Sequence, residues 1–365
     1  MINIKTILKY ILKKIVFIQI KIVSIHNPQP QSPFRVFYGG GFPGNKGGPR
    51  VKIQRLQNYF SNMNFNFNLL YILSNSHYLS KKSFSLSKKK NIPIILNQNG
   101  VFYSGWYEGN WKEMNNKMSI AYHNADYVFW QSKFCKKSAD KFLGLRKGKG
   151  EVLYNSVDTN TFYPKKNRKN KKLLKLLVTG RVKGKNFYRI ENIIKAANLL
   201  KKQNLNFKID FYGLIDKKNQ KRAIKIIYDL NLQDNVNFLG RYTQKNAPKI
   251  YRVYDIYLIM NYMDPCPNTV IEAMSSGLPI IFSATGGLKE LVGQKAGLGL
   301  EVKESWNREP VSPLPMQIAD AINTVNGNLL YMGKASRERA LKKFNMNLWI
   351  KRHKVIFKML LEREQ

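Results

Sequence analysis

The chain has 365 residues, with 62 Lys or Arg against 22 Asp or Glu, a net charge of +40. That length allows two domains of ordinary size, and a hydrophobic content of 44% allows each a core. Cys135 and Cys266 lie far apart and the four histidines show no ligand spacing, which excludes a disulfide framework and a thiolate zinc site. No D-x-D pair occurs, so no catalytic metal is expected. So basic a chain attracts polyanions. Its lysines are spread along the sequence, as an AT-rich genome would spread them, and no nucleic-acid motif accompanies them.

Residues 2 to 16 place Ile4, Ile7, Leu8, Ile11, Leu12 and Ile15 at helical spacing, with Lys5, Lys9, Lys13 and Lys14 between them. The spacing predicts a basic amphipathic helix, suited to lie on a membrane or to pack on the protein. Lysines interrupt every apolar run before it reaches the ~20 residues of a membrane span. Gln19 and Lys21 break the apolar core that a cleaved signal would need. Phe17 to Ile25 reads as the first sheet strand. The next loop contains Gly39-x-Gly41-x-x-Gly44, but Pro43 interrupts the turn and no helix starts there. No acid follows about 20 residues on, so this is not a dinucleotide fingerprint. A helix starts near Pro49, with Val51, Ile53, Leu56 and Phe60 on or near its buried face. Asn68–Leu73 and Ile92–Leu96 read as strands. From Gln98 to Trp111, the aromatics Phe102, Tyr103, Trp106, Tyr107 and Trp111 stand among glycines and polar residues. Such rings suit stacking on sugars, or they cover a sheet edge. Lys165 to Lys172 is a charged linker.

Beyond the linker, strands at Leu173–Thr179, Phe207–Tyr212, Val236–Leu239, Asp255–Met260 and Pro279–Ser283 alternate with helices near 188–203, 219–230, 245–254 and 269–276. That alternation predicts a doubly wound parallel sheet. After the strand Asp255–Met260, Pro265 and Pro267 hold an extended loop, and Asn268 or Thr269 is placed to cap a helix over Val270–Ser276. Gly277 suits its C′ position. Thr269-Val-Ile-Glu272 also reads as a capping box, with Glu272 reaching back to the cap N–H. A helix N-terminus at the carboxyl end of a parallel strand attracts phosphate through its free N–H groups and dipole. Gly180 permits a sharp turn by the same crevice. Arg181 and Lys185 add two cations there, with Lys183 a rival for the second.

The stretch from Asp264 to Pro279, with Pro267, Asn268, Glu272, Ala273 and Gly277 in register, resembles the acidic–x7–Glu motif of the retaining family-4 glycosyltransferases, the group 1 transferases of GT-B fold. Thr179 to Lys185 resembles that family's paired Arg and Lys, with spacing one residue shorter. Ala284 to Glu290 resembles its glycine loop with Glu, and Gly47-Gly48-Pro49 its N-domain glycine loop. Tyr122–Ser132 resembles the helix-into-strand segment ending the N-domain core. Glu151–Pro164 resembles the hinge-proximal signature, with Ser156 where Gly is usual. Asn345–Arg363 resembles the terminal helix that crosses back to the first domain.

The resemblance implies two Rossmann-like, doubly wound parallel-sheet domains facing across a cleft, an acceptor-side domain over 1–165 and a nucleotide-sugar domain over 166–344, with 345–365 returning to the first. It implies Arg181 and Lys185 on the donor diphosphate, with the loop backbone, Asn268 and Thr269 beside it. Asp264 would contact the donor sugar, where the family usually has the longer Glu, and Glu272 the ribose. Gly47, Gly48 and Glu290 would lie near the donor. The reaction implied is retaining, metal-independent hexosyl transfer without a cofactor, from a nucleotide-diphospho-sugar to a saccharide or lipid-linked glycan, in cell-surface polysaccharide synthesis. The leaving phosphate would take the acceptor proton, which suits a chain with no evident His/Asp base pair. The place implied is cytoplasmic, peripheral on an anionic membrane surface, with nucleic acid not among the partners. Two other classes remain: a basic polyanion- or membrane-binding protein on a non-catalytic GT-B fold, and a GT-B nucleotide-sugar epimerase.

Overall fold

The computed structural model describes residues 4–23, 34–44, 48–165 and 173–362. Gly47, His26 and linker residues 166–172 lie outside the described residues. The chain forms two compact units: Met1–Tyr103, Tyr107–Leu153 and Asn347–Gln365 make unit 1, and Ser104–Trp106 with Tyr154–Met346 make unit 2.

Unit 1 opens with helix α1 (Ile4–Ile22), so the strand expected over Phe17–Ile25 is helix as far as Ile22. Its β-branched residues alternate with Gln19 and Lys21 in strand fashion. No breaker separates them from the preceding turns, however, and Val16, Ile20 and Val23 are buried at helical spacing. Sheet and helix then alternate: β1 (Val36–Phe37), α2 (Gly48–Gln57), β2 (Leu69–Leu73), α3 (Lys81–Lys89), β3 (Ile94–Gln98), α4 (Trp111–Asn124), β4 (Tyr127–Trp130), α5 (Lys133–Leu143) and β5 (Lys149–Val152). All five strands are parallel, in the order β1-β2-β3-β4-β5. On the far side of β1, Asn62 makes an isolated parallel bridge to Val36, and its side-chain oxygen accepts from Tyr38 N–H at 3.2 Å. The chain thus passes one side of β1 and returns to β2 on the other. In the aromatic stretch after β3, Tyr103 is buried and stacks on Phe142, Trp111 meets the same ring edge-on, and Trp106 is exposed.

Unit 2 runs β6 (Leu174–Val182), a 3-10 turn over Gly184–Phe187, α6 (Tyr188–Lys202), β7 (Phe207–Ile215), α7 (Lys217–Asp229), β8 (Val236–Gly240), α8 (Ala247–Val253), β9 (Ile256–Ile259), α9 (Asn268–Ser275), β10 (Ile280–Ser283), α10 (Leu288–Val292), β11 (Gly297–Leu300), α11 (Pro315–Asn326) and α12 (Leu329–Lys343). Its six parallel strands lie in the order β11-β10-β9-β6-β7-β8. The period-2 rule divides them cleanly. Leu176, Val178, Ile256, Leu258 and Ile281 share one core with α6, α7 and α11, while Leu177, Tyr257, Ile259, Ile280 and Phe282 share another with α8, α9 and α10. Both faces are covered, as parallel sheets require.

A last helix, α13 (Met346–Leu361), lies in unit 1 from Asn347 onward. Its His353 is fully buried beside Tyr71, Phe129 and Phe357. His353 Nδ1 donates to Trp349 O at 2.8 Å, so its Nε2 accepts from Tyr71 OH at 3.0 Å. Asn97 donates to that same hydroxyl, and the buried Lys52 amine donates to Asn97. A polar chain from α2 through β3 and β2 to α13 therefore crosses the apolar face with its groups paired.

Candidate functional site in unit 2

The strand order of unit 2 reverses between β6 and β9, so their carboxyl ends splay apart and leave a crevice. β6 closes with Thr179, Gly180, Arg181 and Val182. Gly180 holds φ +145°, with nothing within 4 Å of where a Cβ would stand. Arg181 is exposed at that turn, and no hydrogen bond or ion pair engages its guanidinium among the described residues. Its carbonyl accepts from Arg189 on the first turn of α6 at 3.4 Å. Lys185 lies in the 3-10 turn and pairs with Glu309 at 2.6 Å. Lys183 caps that turn without a side-chain bond.

From β9 the chain enters the loop Met260–Pro267. Asp264 folds back on its own loop, accepting from Asn261 Nδ2 at 2.9 Å and from Cys266 N–H at 3.2 Å. Burial raises its carboxyl above the usual range, against the pull of Asn261, Arg189 and the Cys266 amide. The N-cap of α9 is Pro267, not Asn268 or Thr269, and no side chain caps the helix. Proline holds φ −69° there and the helix begins one residue earlier than the side-chain oxygens suggest. The expected capping box is therefore not formed, because Glu272 sits beyond N3 and Pro267 has no N–H to receive it. Glu272 instead is 1% exposed, among the hydroxyls of Tyr242, Tyr251 and Tyr257. Burial first, and the charge of Glu272 among the neighbours, keeps all three phenols protonated. The Tyr257 hydroxyl, on β9, also meets Thr179 Oγ1 at 2.7 Å and the Thr269 side chain, which ties the end of β6 through β9 to the foot of α9. The Asn268 side-chain oxygen is buried with no hydrogen-bond partner among the described residues. First-turn N–H groups without a side-chain cap, a helix dipole and an exposed arginine give this crevice the chemistry that suits an anion.

The third wall is the loop from β10 to α10. Gly286 holds φ +63°, and a Cβ there would lie 2.7 Å from the backbone of Met263. Thr285 Oγ1 accepts from Met263 N–H at 2.9 Å, and Asp264 O accepts from Gly287 N–H at 2.9 Å, so the two loops are one unit. Glu290 accepts from Tyr154 OH at 2.9 Å. Two carboxylates from the segment after β11 meet the site's anion-binding groups: Glu304 accepts from Gly286 N–H at 2.6 Å, and Glu309 pairs with Lys185.

Residues 159–309 match the family model described as "Glycosyl transferases group 1". They carry every wall of the crevice. An uncharacterized glycosyltransferase of Methanocaldococcus jannaschii is 24% identical over 202 residues, 52% of this chain and 50% of that protein. The mannosylfructose-phosphate synthase of Agrobacterium fabrum is 37% identical over 62 residues, 17% of this chain and 14% of that protein. The chain thus spans half or less of the length of these curated relatives. Among solved structures, sucrose-phosphate synthase from Thermosynechococcus elongatus superposes with a TM-score of 0.64 at 17% identity, over 86% of this chain and 78% of that one. HepE of Anabaena, determined in complex with UDP, gives 0.64 at 15% identity, over 85% and 81%. At such identities the likeness fixes the fold, and that fold is GT-B.

The group 1 region brings Arg181, Asp264, Asn268, Thr269, Glu272 and Glu290 to the ends of adjacent strands. Lys185 belongs to the same turn, but its amine is held by Glu309. Gly48 opens α2 in unit 1 with nothing within 4 Å of a Cβ among the described residues, and Gly47 lies outside them. Sequence reasoning passed over Arg189, which follows Lys185 by one helical turn and whose charge acts on Asp264. The i, i+4 spacing was the available signal. It also passed over Glu304 and Glu309, for which no local pattern exists, since their role comes from a loop folded back on the site. Among the described residues, no group of three or more His, Cys, Asp or Glu is placed to hold a metal ion.

Proposed function

We propose that this protein is a retaining, metal-independent hexosyltransferase that moves a sugar from a nucleotide-diphospho-sugar to a saccharide or lipid-linked glycan in cell-surface polysaccharide synthesis. The observation that carries the reading is the start of α9: a helix without a side-chain cap, at the β6/β9 reversal, beside an exposed Arg181 and a buried Glu272. Departure of a nucleotide diphosphate develops negative charge on its terminal oxygens. Arg181 and the α9 amides supply positive potential there without reorganising, which is where preorganised donors count most. In this reading Asp264 accepts from a hydroxyl of the donor sugar and Glu272 from the ribose. Solved neighbours hold UDP and UDP-glucose, which supports a uridine donor as the first to try.

The partner surface we assign is an anionic membrane on the cytoplasmic side. Ile4, Leu8, Ile11, Ile15, Ile18 and Ile22 of α1 are all at least 45% exposed and form one stripe at heptad spacing. No helix among the described residues is long and apolar enough to cross a membrane.

The test is donor turnover in Arg181→Ala and Glu272→Gln variants. Loss of one preorganised donor predicts a fall in kcat of roughly 100- to 1000-fold for Arg181→Ala. Glu272→Gln is expected mainly to raise KM. Unchanged turnover in both variants would remove the site assignment.

A further inference from the structure

Unit 1 holds a second concentration of cations, remote in sequence from the group 1 region. Helix α1 lies beside α3, and their carboxyl ends coincide: the Lys90 amine, at the end of α3, donates to Lys21 O at 2.7 Å and Val23 O at 3.0 Å, at the end of α1. At 1.5 Å per residue, α1 (19 residues) outruns α3 (9 residues) by about 15 Å. Lys9 and Lys13, one turn apart, therefore stand level with the start of α3.

They line a cavity of about 250 Å³ with His77, Ser80, Lys81 and Lys117. A second lobe of about 520 Å³ shares Lys9 and His77 and adds Arg50, Phe42 and Tyr78. No Asp or Glu lines either lobe among the described residues. Lys117 is met by Glu113, but Lys9, Lys13 and Lys81 meet no carboxylate among the described residues. Elsewhere this chain answers helical lysines with an acid four residues away, as in Lys195–Glu191, Lys225–Asp229 and Lys358–Glu362. Here the amines crowd one another instead: burial, then Lys9 and Lys117, lowers the pKa of Lys13.

His77 completes the lining. Its Nδ1 accepts from Leu79 N–H at 3.2 Å, which leaves an Nε2–H donor with no partner among the described residues. Burial, with Lys13 and Lys9, pushes it down to about 4, so it is neutral at pH 7 and still a donor. The lining charges thus converge from three helices and are all of one sign, with the start of α3 adding its dipole. A tetrahedral dianion with several acceptor oxygens answers that arrangement; a single carboxylate leaves most of it unanswered.

We propose that this two-lobed basin binds a phosphate ester, with the phosphate in the lysine lobe and its organic body in the larger lobe against the edge-to-face pair Phe42–Tyr78. The inference stands on unit 1 alone and survives failure of the sugar-transfer reading of unit 2.

The test is isothermal titration of the full-length protein with glycerol 3-phosphate and, as the lipid form of the same group, monomeric dihexanoyl phosphatidic acid. The variants are Lys9→Gln/Lys13→Gln and, as a second with less risk to folding, Lys81→Gln. Lys195→Gln and Arg181→Ala are controls outside the basin. The expected result is binding of at least one probe to the native protein. Affinity should fall at least tenfold in Lys9→Gln/Lys13→Gln, fall less in Lys81→Gln, and hold in both controls. Binding of the soluble ester assigns a free phosphate; binding of the lipid alone assigns a headgroup. No binding of either probe, equal binding in the basin variants, or a loss that follows Arg181→Ala would overturn the proposal.

Discussion

Both sheets turn back on themselves, but they are built differently where they do so. In unit 2 the reversal falls between β6, nine residues long and paired along its whole length with β7, and β9, which is buried on both faces. In unit 1 it falls at β1, a two-residue strand whose outer neighbour is the single bridge residue Asn62. Unit 2 shapes its crevice by backbone: glycines at positive φ, prolines in the loop and a helix without a side-chain cap. Unit 1 holds its corresponding region with side chains, namely the Asn62 amide, the Lys52–Asn97–Tyr71–His353 chain and the packing of α1. Backbone devices are tied to residue type and leave a trace in sequence. Side-chain ties over long separations leave little.

The sharpest way to break this comparison is a pair of glycine substitutions. Gly286→Ala puts a Cβ 2.7 Å from the Met263 backbone, at φ +63°. It should destabilise unit 2 by about 1–3 kcal/mol, displace Asp264 and cut donor affinity at least tenfold. Gly48→Ala, in open space at the start of α2, should leave stability within about 0.5 kcal/mol of native. Urea unfolding and donor titration of both variants give the answer. Equal effects would mean that the two glycine loops are not built differently.

The second prediction concerns pH. Burial, with Lys52, holds His353 down to about 3 in the folded chain, against an ordinary value of 6.5. Below 6.5 the unfolded chain takes up the proton and the folded chain does not. The contribution is therefore fully present above pH 6.5 and is lost as pH falls toward 3. Between pH 6 and pH 4 the slope should approach about 1.4 kcal/mol per pH unit from this group. His353→Asn should flatten that part of the unfolding curve, and an unchanged slope would assign the pH dependence elsewhere.

A smaller effect sharpens the picture of unit 2. Glu304 and Glu309 engage the Gly286 amide and Lys185, groups that a diphosphate would also use. Glu304→Ala with Glu309→Gln should raise affinity for the donor by about two- to fivefold, the scale of an exposed ion pair. Weaker donor binding in that variant would show that these acids organise the loop.

How far each unit was legible follows from the same difference. In unit 2 the strands Leu173–Thr179, Phe207–Tyr212, Asp255–Met260 and Pro279–Ser283 read correctly to within a few residues, because fully buried parallel strands are short apolar runs. Gly277 at φ +72° ends α9 as a C′ glycine should. The cap of α9 was misread because a Pro at the boundary leaves the side-chain oxygens of Asn268 and Thr269 without that task. In unit 1 the run Phe17–Ile25 misled, since β-branched residues alternating with polar ones fit both periods and only packing of Val16, Ile20 and Val23 decides. Strand β1 is too short for any pattern, and the burial of Lys52 depends on Asn97, 45 positions away.

The central claim is that the start of α9 and Arg181 together hold a nucleotide diphosphate. Isothermal titration of the native protein and of Arg181→Ala with UDP, GDP and ADP tests it directly. The account predicts that at least one nucleotide binds the native protein and that Arg181→Ala weakens it at least tenfold. Binding of none of the three, or equal affinity in the variant, would contradict it.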